Sequence, residues 1–110
     1  MHAITERVWN GRSNTVVITV KEDGAVKDLS AVTRMVLEVG SGVIVDTDTA
    51  PADTIIWDTL GNVTLSLGAS GIADGTYKCE LVAYDPDNPD GVMLVHPSSN
   101  AKLTLVFETD

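Results

Sequence analysis

The stretch Gly75-Thr76-Tyr77-Lys78-Cys79-Glu80-Leu81-Val82-Ala83-Tyr84-Asp85, GTYKCELVAYD, is the longest run of strand-forming residues in the chain. It is bounded by a glycine on one side and by Pro86 on the other, which marks it as a strand. Before it, NVTLSL (62–67) alternates cleanly, with Val63, Leu65 and Leu67 set to point inward and Thr64 and Ser66 to meet solvent. After it, GVMLVH (91–96) and AKLTLVFE (101–108) supply two more strands. In the last of these, Ala101, Leu103, Leu105 and Phe107 alternate with Lys102, Thr104 and Val106.

The same reading extends upstream. TVVITV (15–20) is a β-branched run closed by the turn signal Lys21-Glu22-Asp23-Gly24. VTRMVLEV (32–39) puts Thr33, Met35, Leu37 and Val39 toward a core and Val32, Arg34, Val36 and Glu38 away from it. GVIVD (42–46) and DTIIWD (53–58) follow. No window of helical length carries apolar residues at i, i+3, i+4 and i+7 without a turn residue breaking it. The pattern predicts an all-β, antiparallel β-sandwich of seven to eight strands, with no crossover helices for parallel pairing. A single domain over 15–110 is expected, preceded by a short, irregular N-terminal arm at 1–14.

A chain of 110 residues supports one hydrophobic core. Its 7 basic and 16 acidic residues give a net charge of -9, which opposes contact with nucleic-acid phosphates or anionic membranes. The amino end interrupts any apolar h-region with Glu6, Arg7, Asn10 and Arg12, so export by a secretory signal is not expected. Cys79 is the single cysteine, which excludes an intramolecular disulfide and an all-cysteine zinc site; a small buried hydrophobe is its expected role.

Catalytic chemistry is sparse. His2 and His96 lack metal-ligand spacing, and no nucleophile motif surrounds Ser13, Ser41, Ser66 or Ser70. The glycines fall at turns and none opens a helix, as a phosphate-binding loop requires. A protein without enzymatic activity or cofactor is expected. The acidic stretch YDPDNPDG (84–91) invites a calcium reading, but an EF-hand loop counted from Asp85 would meet Pro89 at position 5, Asp90 at 6 and His96 at 12. A looser site from Asp85, Asp87 and Asp90 is the remaining metal candidate. The mechanical alternative is a stiff hairpin tip turned by Asp90-Gly91. Val8, Trp9 and Trp57 are the candidate anchors for a partner, Trp9 foremost because it lies in the irregular arm.

The segment Gly75-Thr76-Tyr77-Lys78-Cys79 resembles the start of strand F in immunoglobulin-like domains. That resemblance implies a tyrosine corner, with the Tyr77 ring in the core and its hydroxyl returned to the backbone a few residues upstream. The upstream cysteine and bridge-packing tryptophan of antibody domains have no counterpart, so the likeness covers a corner and one strand. More broadly, Asp28-Leu29-Ser30 before the second strand, then Gly61-Asn62-Val63-Thr64-Leu65-Ser66-Leu67-Gly68, then Gly75-Thr76-Tyr77, resemble small immunoglobulin-like structural modules of tailed-bacteriophage particles. The resemblance spans roughly residues 15 to 107. It implies a virion protein assembled in the host bacterial cytoplasm: a decoration or cement subunit on the capsid, or an attachment module of the tail or baseplate. Its partners would be capsid or tail proteins, in a homo-oligomer or multi-copy array, with TVVITV or AKLTLVF as pairing edges. The alternative expectation is a carbohydrate-binding module, for which Trp9, Trp57, Tyr84 and Phe107 are the available rings.

Overall fold

The computed structural model describes residues 2–22, 24–98 and 101–110, a compact all-β globule without helix among the described residues. Met1 of the expected arm and Asp23 of the expected turn lie outside them. The described residues form eleven strand segments: β1 (His2–Trp9), β2 (Val16–Thr19), β3 (Lys21–Glu22), β4 (Ala25–Val26), β5 (Arg34–Val39), β6 (Val43–Asp46), β7 (Ile55–Trp57), β8 (Asn62–Leu65), β9 (Gly75–Asp85), β10 (Asn88–Val95) and β11 (Ala101–Glu108).

The larger sheet runs β1-β11-β9-β5-β6, with β10 also paired to β9, and the smaller runs β2-β8-β7. β3 and β4 form a separate two-residue ladder. The count exceeds seven or eight for physical reasons. β10 and β11 share one edge of β9, β10 opposite Leu81 to Asp85 and β11 opposite Gly75 to Cys79, so one long path appears as two segments. Residues 2–9, expected as an arm, are instead an edge strand of the large sheet, and β1 pairs with β11 in parallel from His2↔Ala101 to Trp9↔Glu108. That pairing also removes AKLTLVF from the expected free edges, because β11 lies between β1 and β9. TVVITV does lie at an edge, as β2.

The inner faces of both sheets share one buried cluster. Val16 and Ile18 of β2, Ile55 of β7 and Val63 and Leu65 of β8 belong to it together with Met35, Leu37, Val39, Cys79, Leu81, Leu103, Leu105 and Phe107 of the large sheet. Period-2 alternation produces this: β5 reads inward at Met35, Leu37 and Val39, and β8 at Val63 and Leu65. Thr33, expected inward, is exposed, and its hydroxyl donates to the Tyr84 carbonyl instead.

The acidic hairpin turns elsewhere than expected. Asn88 pairs with Asp85, so Pro86-Asp87 is the tip, and Asp85 Oδ1 accepts from the Asp87 and Asn88 N–H groups at 2.9 Å each. Asp90-Gly91 falls within β10, where the register shifts between Asn88 and Val92. Gly91 is required there: its φ is +88°, and a Cβ would stand 2.5 Å from Val82 Cγ1 and 2.9 Å from Tyr84 Cε2.

Candidate functional site

Alternation leaves each sheet an outer face, and the outer face of the large sheet holds most of the organised side-chain chemistry. Register places Arg34 beside Tyr84, Val36 beside Val82 and Glu38 beside Glu80 on β5 and β9. β6 adds Ile44 and Asp46, β10 adds Met93, and β11 and β1 add Lys102, Thr104, Val106, Glu108, Arg7 and Trp9. Four basic residues (Arg7, Arg34, Lys78, Lys102) and five acidic residues (Glu38, Asp46, Asp48, Glu80, Glu108) therefore meet on this face.

Two arginine clusters mark opposite corners. Arg34 donates to Asp46 from Nε at 3.0 Å and from Nη2 at 2.5 Å, approaches Asp48 at 3.4 Å, and lies over the Tyr84 ring with 4.8 Å to its centroid. The Arg34 fork holds the Asp46 carboxyl down to about 2 and raises the guanidinium further. At the other corner Arg7 pairs with Glu108 at 3.2 Å and lies 5.7 Å from the Trp9 centroid. Between the corners runs an apolar strip of Val36, Val82 and Met93, the last of them 47% exposed. Beside the strip, Glu38 and Glu80 face each other as a like-charge pair, with His96 Nε2 3.0 Å from Glu80 Oε1.

The expected site residues separate into different environments. Val8 is 1% exposed and sits in the chain's own core, which removes it as an interface anchor. Trp9 is half-buried on the outer face, and Trp57 is half-buried against the core from β7. Tyr77 forms the expected corner: its hydroxyl donates to the Ala73 carbonyl at 2.7 Å, and its ring meets Phe107 edge-on at 5.6 Å. The ring is half-buried, pressed on Gly40, where a Cβ would be 3.0 Å from Tyr77 Cδ1. Cys79 is fully buried, and burial pushes its thiol up to about 11, which makes it inert as a nucleophile at neutral pH.

His96 is held by its surroundings. Its Nδ1 accepts from the Ser98 N–H at 2.9 Å while Nε2 faces Glu80. The Ser70 hydroxyl donates to the Leu67 carbonyl, so it is committed to its turn. Asp85 is spent on its turn as well, and among the described residues no group of three His, Cys, Asp or Glu side chains converges as metal ligands, Asp85, Asp87 and Asp90 included.

A shallow depression of about 260 Å³ lies among Arg12, Ser13, Asn14, Thr15, Ser66, Gly68 and Ala69. Its one cation, Arg12, is engaged by Asp110 through Nε and Nη2, and Asn14 is engaged by the backbone of Trp9 and Arg7. Nearby, Asn10 Nδ2 donates to the Ile72 carbonyl and to Asp74, whose carboxyl is lowered first by this bond and then by Thr109. These bonds brace the β1–β2 connection against the residues that lead into β9.

The charge balance of the large outer face was not foreseen. Alternation reveals which residues point outward, but the set that shares a face depends on strand neighbours, which the local pattern does not encode. A scan against protein-family models and a search of curated proteins gave no match to this chain.

Proposed function

We propose that this chain is a non-enzymatic structural protein of a bacteriophage particle, built as an immunoglobulin-like antiparallel β-sandwich. In this reading it binds the capsid surface as a decoration or cement subunit, or the tail or baseplate as an attachment module. The observation that carries the reading is the strand order together with the Tyr77–Ala73 corner. β2, β7 and β8 take the places of strands B, D and E, while β5, β9 and the β10–β11 path take those of C, F and G. β6 extends the second sheet beside C, and β1 lies parallel to G. This strand order supports the immunoglobulin-like reading that the resemblance of residues 15 to 107 implies.

The mechanism is adhesion by many copies. Each copy makes a modest contact, and neighbouring contacts on one particle reinforce each other through effective concentration. The carbohydrate-binding alternative needs coplanar rings. Trp9 and Tyr84 stand about ten residues apart along the strand direction, roughly 34 Å, and each has a guanidinium over it, which favours adhesion instead.

The test uses particles of the phage that encodes the chain, prepared without it. Purified protein is expected to bind them and to raise their resistance to heat. No binding, with unchanged particle stability, overturns the proposal.

A further inference from the structure

A strand at the end of a sheet presents backbone groups that its own sheet does not pair. Among the described residues the two main sheets have four such ends: β1 and β6 of the large one, β2 and β7 of the small one. Three of them are guarded. Asn14 covers β1, accepting from the Trp9 N–H at 3.1 Å and donating to the Arg7 carbonyl at 3.3 Å. β7 is three residues long and lies between Asp53 and Asp58. β2 is uncharged, but its inward Val16 and Ile18 are buried in one cluster with Val8 of β1, so the large sheet reaches beneath that edge. Two copies paired through β2 would drive their large sheets into each other.

β6 is the exception. The chain carries no charge from Val39 to Val45, between Glu38 and Asp46. Val43 pairs with Val39 on the inner face, yet it is 37% exposed where Val39 is buried, so the large sheet overhangs the small one here and leaves room beside β6. Ile44, on the outer face, is 54% exposed.

Hydrogen bonding fixes which groups of β6 are available. The Thr47 N–H donates to the Met35 carbonyl at 3.1 Å, and the Gly40 N–H to the Lys78 carbonyl at 3.0 Å, which sets the phase of both ladders of β5. In an antiparallel ladder, successive residues direct their backbone groups to opposite sides. Val43 and Val45 therefore bond to β5, while Ile44 and Asp46 direct theirs outward. The Asp46 carbonyl accepts from the Thr49 and Ala50 N–H groups at 3.0 and 2.7 Å, which leaves the N–H and C=O of Ile44 as a matched donor and acceptor.

A two-fold axis at Ile44 satisfies both at once, because facing residues of an antiparallel bonded pair exchange two bonds. The same axis sets Val43 against Val45 of the other copy, and Asp46 against Gly42, which has no side chain to crowd it. At strand spacing, Glu38 and Asp46 of one copy stand roughly 12 Å or more from those of the other, beyond the screening length of about 8 Å.

We propose that a second copy of this chain adds to β6 by antiparallel pairing centred on Ile44, joining two large sheets edge to edge. A seam this short falls well below the roughly 1,600 Å² of a stable interface, so the dimer is weak and forms at high protein concentration. It goes beyond the virion reading, since it concerns the isolated chain.

Sedimentation velocity up to millimolar protein tests it. The wild-type protein is expected to dimerise reversibly, and Ile44→Lys to weaken the dimer at least roughly tenfold by setting two ammonium groups against each other. Ile44→Pro removes the outward N–H without breaking a bond of the sheet and is expected to do the same. Val17→Lys, at the β2 edge, is expected to leave the dimer unchanged. Under mild oxidation Ile44→Cys is expected to cross-link to a dimer and Val17→Cys is not, since Cα atoms facing across the seam lie about 5.5 Å apart and Cys79 is buried. Thermal melts establish that each variant is folded, and Ile44→Lys decides the case if the proline variant unfolds. A wild-type protein monomeric at millimolar concentration overturns the proposal. So does a dimer that Ile44→Lys leaves intact, or one that Val17→Lys weakens as much.

Discussion

On the outside of the large sheet, charged side chains of both signs are mixed, and two opposite-charge pairs lock across strands: Arg34 with Asp46, Arg7 with Glu108. On the outside of the small sheet, the row Val17–Thr64–Ile56 crosses all three strands without a charged residue, and in the next row Thr19 bonds Asn62 at 2.9 Å and Asn62 in turn donates to a single acid, Asp58. Beneath them, both sheets bury the same kind of aliphatic side chain in one cluster. Burial fixes the inner faces because a misplaced polar group there is costly, whereas outward positions are free to differ. The two outer faces should therefore respond differently to salt, pH and substitution, while the inner faces respond alike.

The largest effects test that likeness. Leu37→Ala on β5 and Leu65→Ala on β8, at 0% and 1% exposure, are each expected to destabilise by about 2–5 kcal/mol in urea unfolding. A cost confined to one of them would mean that the sheets do not share a core. Next comes Gly61→Ala, at the turn that enters β8. Its φ of +79° and a Cβ only 2.5 Å from the Val20 carbonyl oxygen should cost about 1–3 kcal/mol by the same assay.

Tyr77→Phe removes one hydrogen bond at the corner and is expected to cost on the order of 1 kcal/mol, with near-unchanged packing on Phe107. The charged face then gives a pH signature. The folded Asp46 carboxyl is lowered to about 2, below its unfolded value of about 3.9, so its contribution is present above the unfolded value and is lost as pH falls through the folded one. Because the pair is partly exposed, at 37% and 18%, the effect is screened to at most about 1 kcal/mol. Asp46→Asn should flatten that part of the acid limb in denaturant titrations between pH 5 and pH 2. Smallest of all, Ile56→Thr in the uncharged Val17–Thr64–Ile56 row is expected to stay within about 0.5 kcal/mol and to show no salt dependence.

Much of this was readable beforehand where local pattern and final environment agree. β9 and β11 run over the expected residues, and Met35, Leu37, Val39, Val63, Leu65 and Leu67 all point inward as alternation requires. β1 escaped because Glu6 occupies an inward-alternating position beside Leu105 and only Ile4 and Val8 remain apolar; its pairing is supplied by β11, almost a whole chain length away. The hairpin misled for another reason. Two turn signals compete within six residues, and the Asp85 side chain, by capping Asp87 and Asn88, decides for Pro86-Asp87 and leaves Asp90-Gly91 to a bulge. Of the site, Tyr77 and Cys79 were legible as a local motif. The mixed-charge face was not, because it is assembled from six strands.

The parallel pairing of β1 with β11 has a consequence in time. His2 meets Ala101 and Trp9 meets Glu108, so β1 is synthesised well before the strand it pairs with and waits for it. Until then the half of β9 that receives β11 is bare, and the nascent chain presents two unsatisfied strand edges instead of a closed sheet. Closure is a late, long-range event, and the interval before it is when the chain is most exposed to pairing with the wrong neighbour.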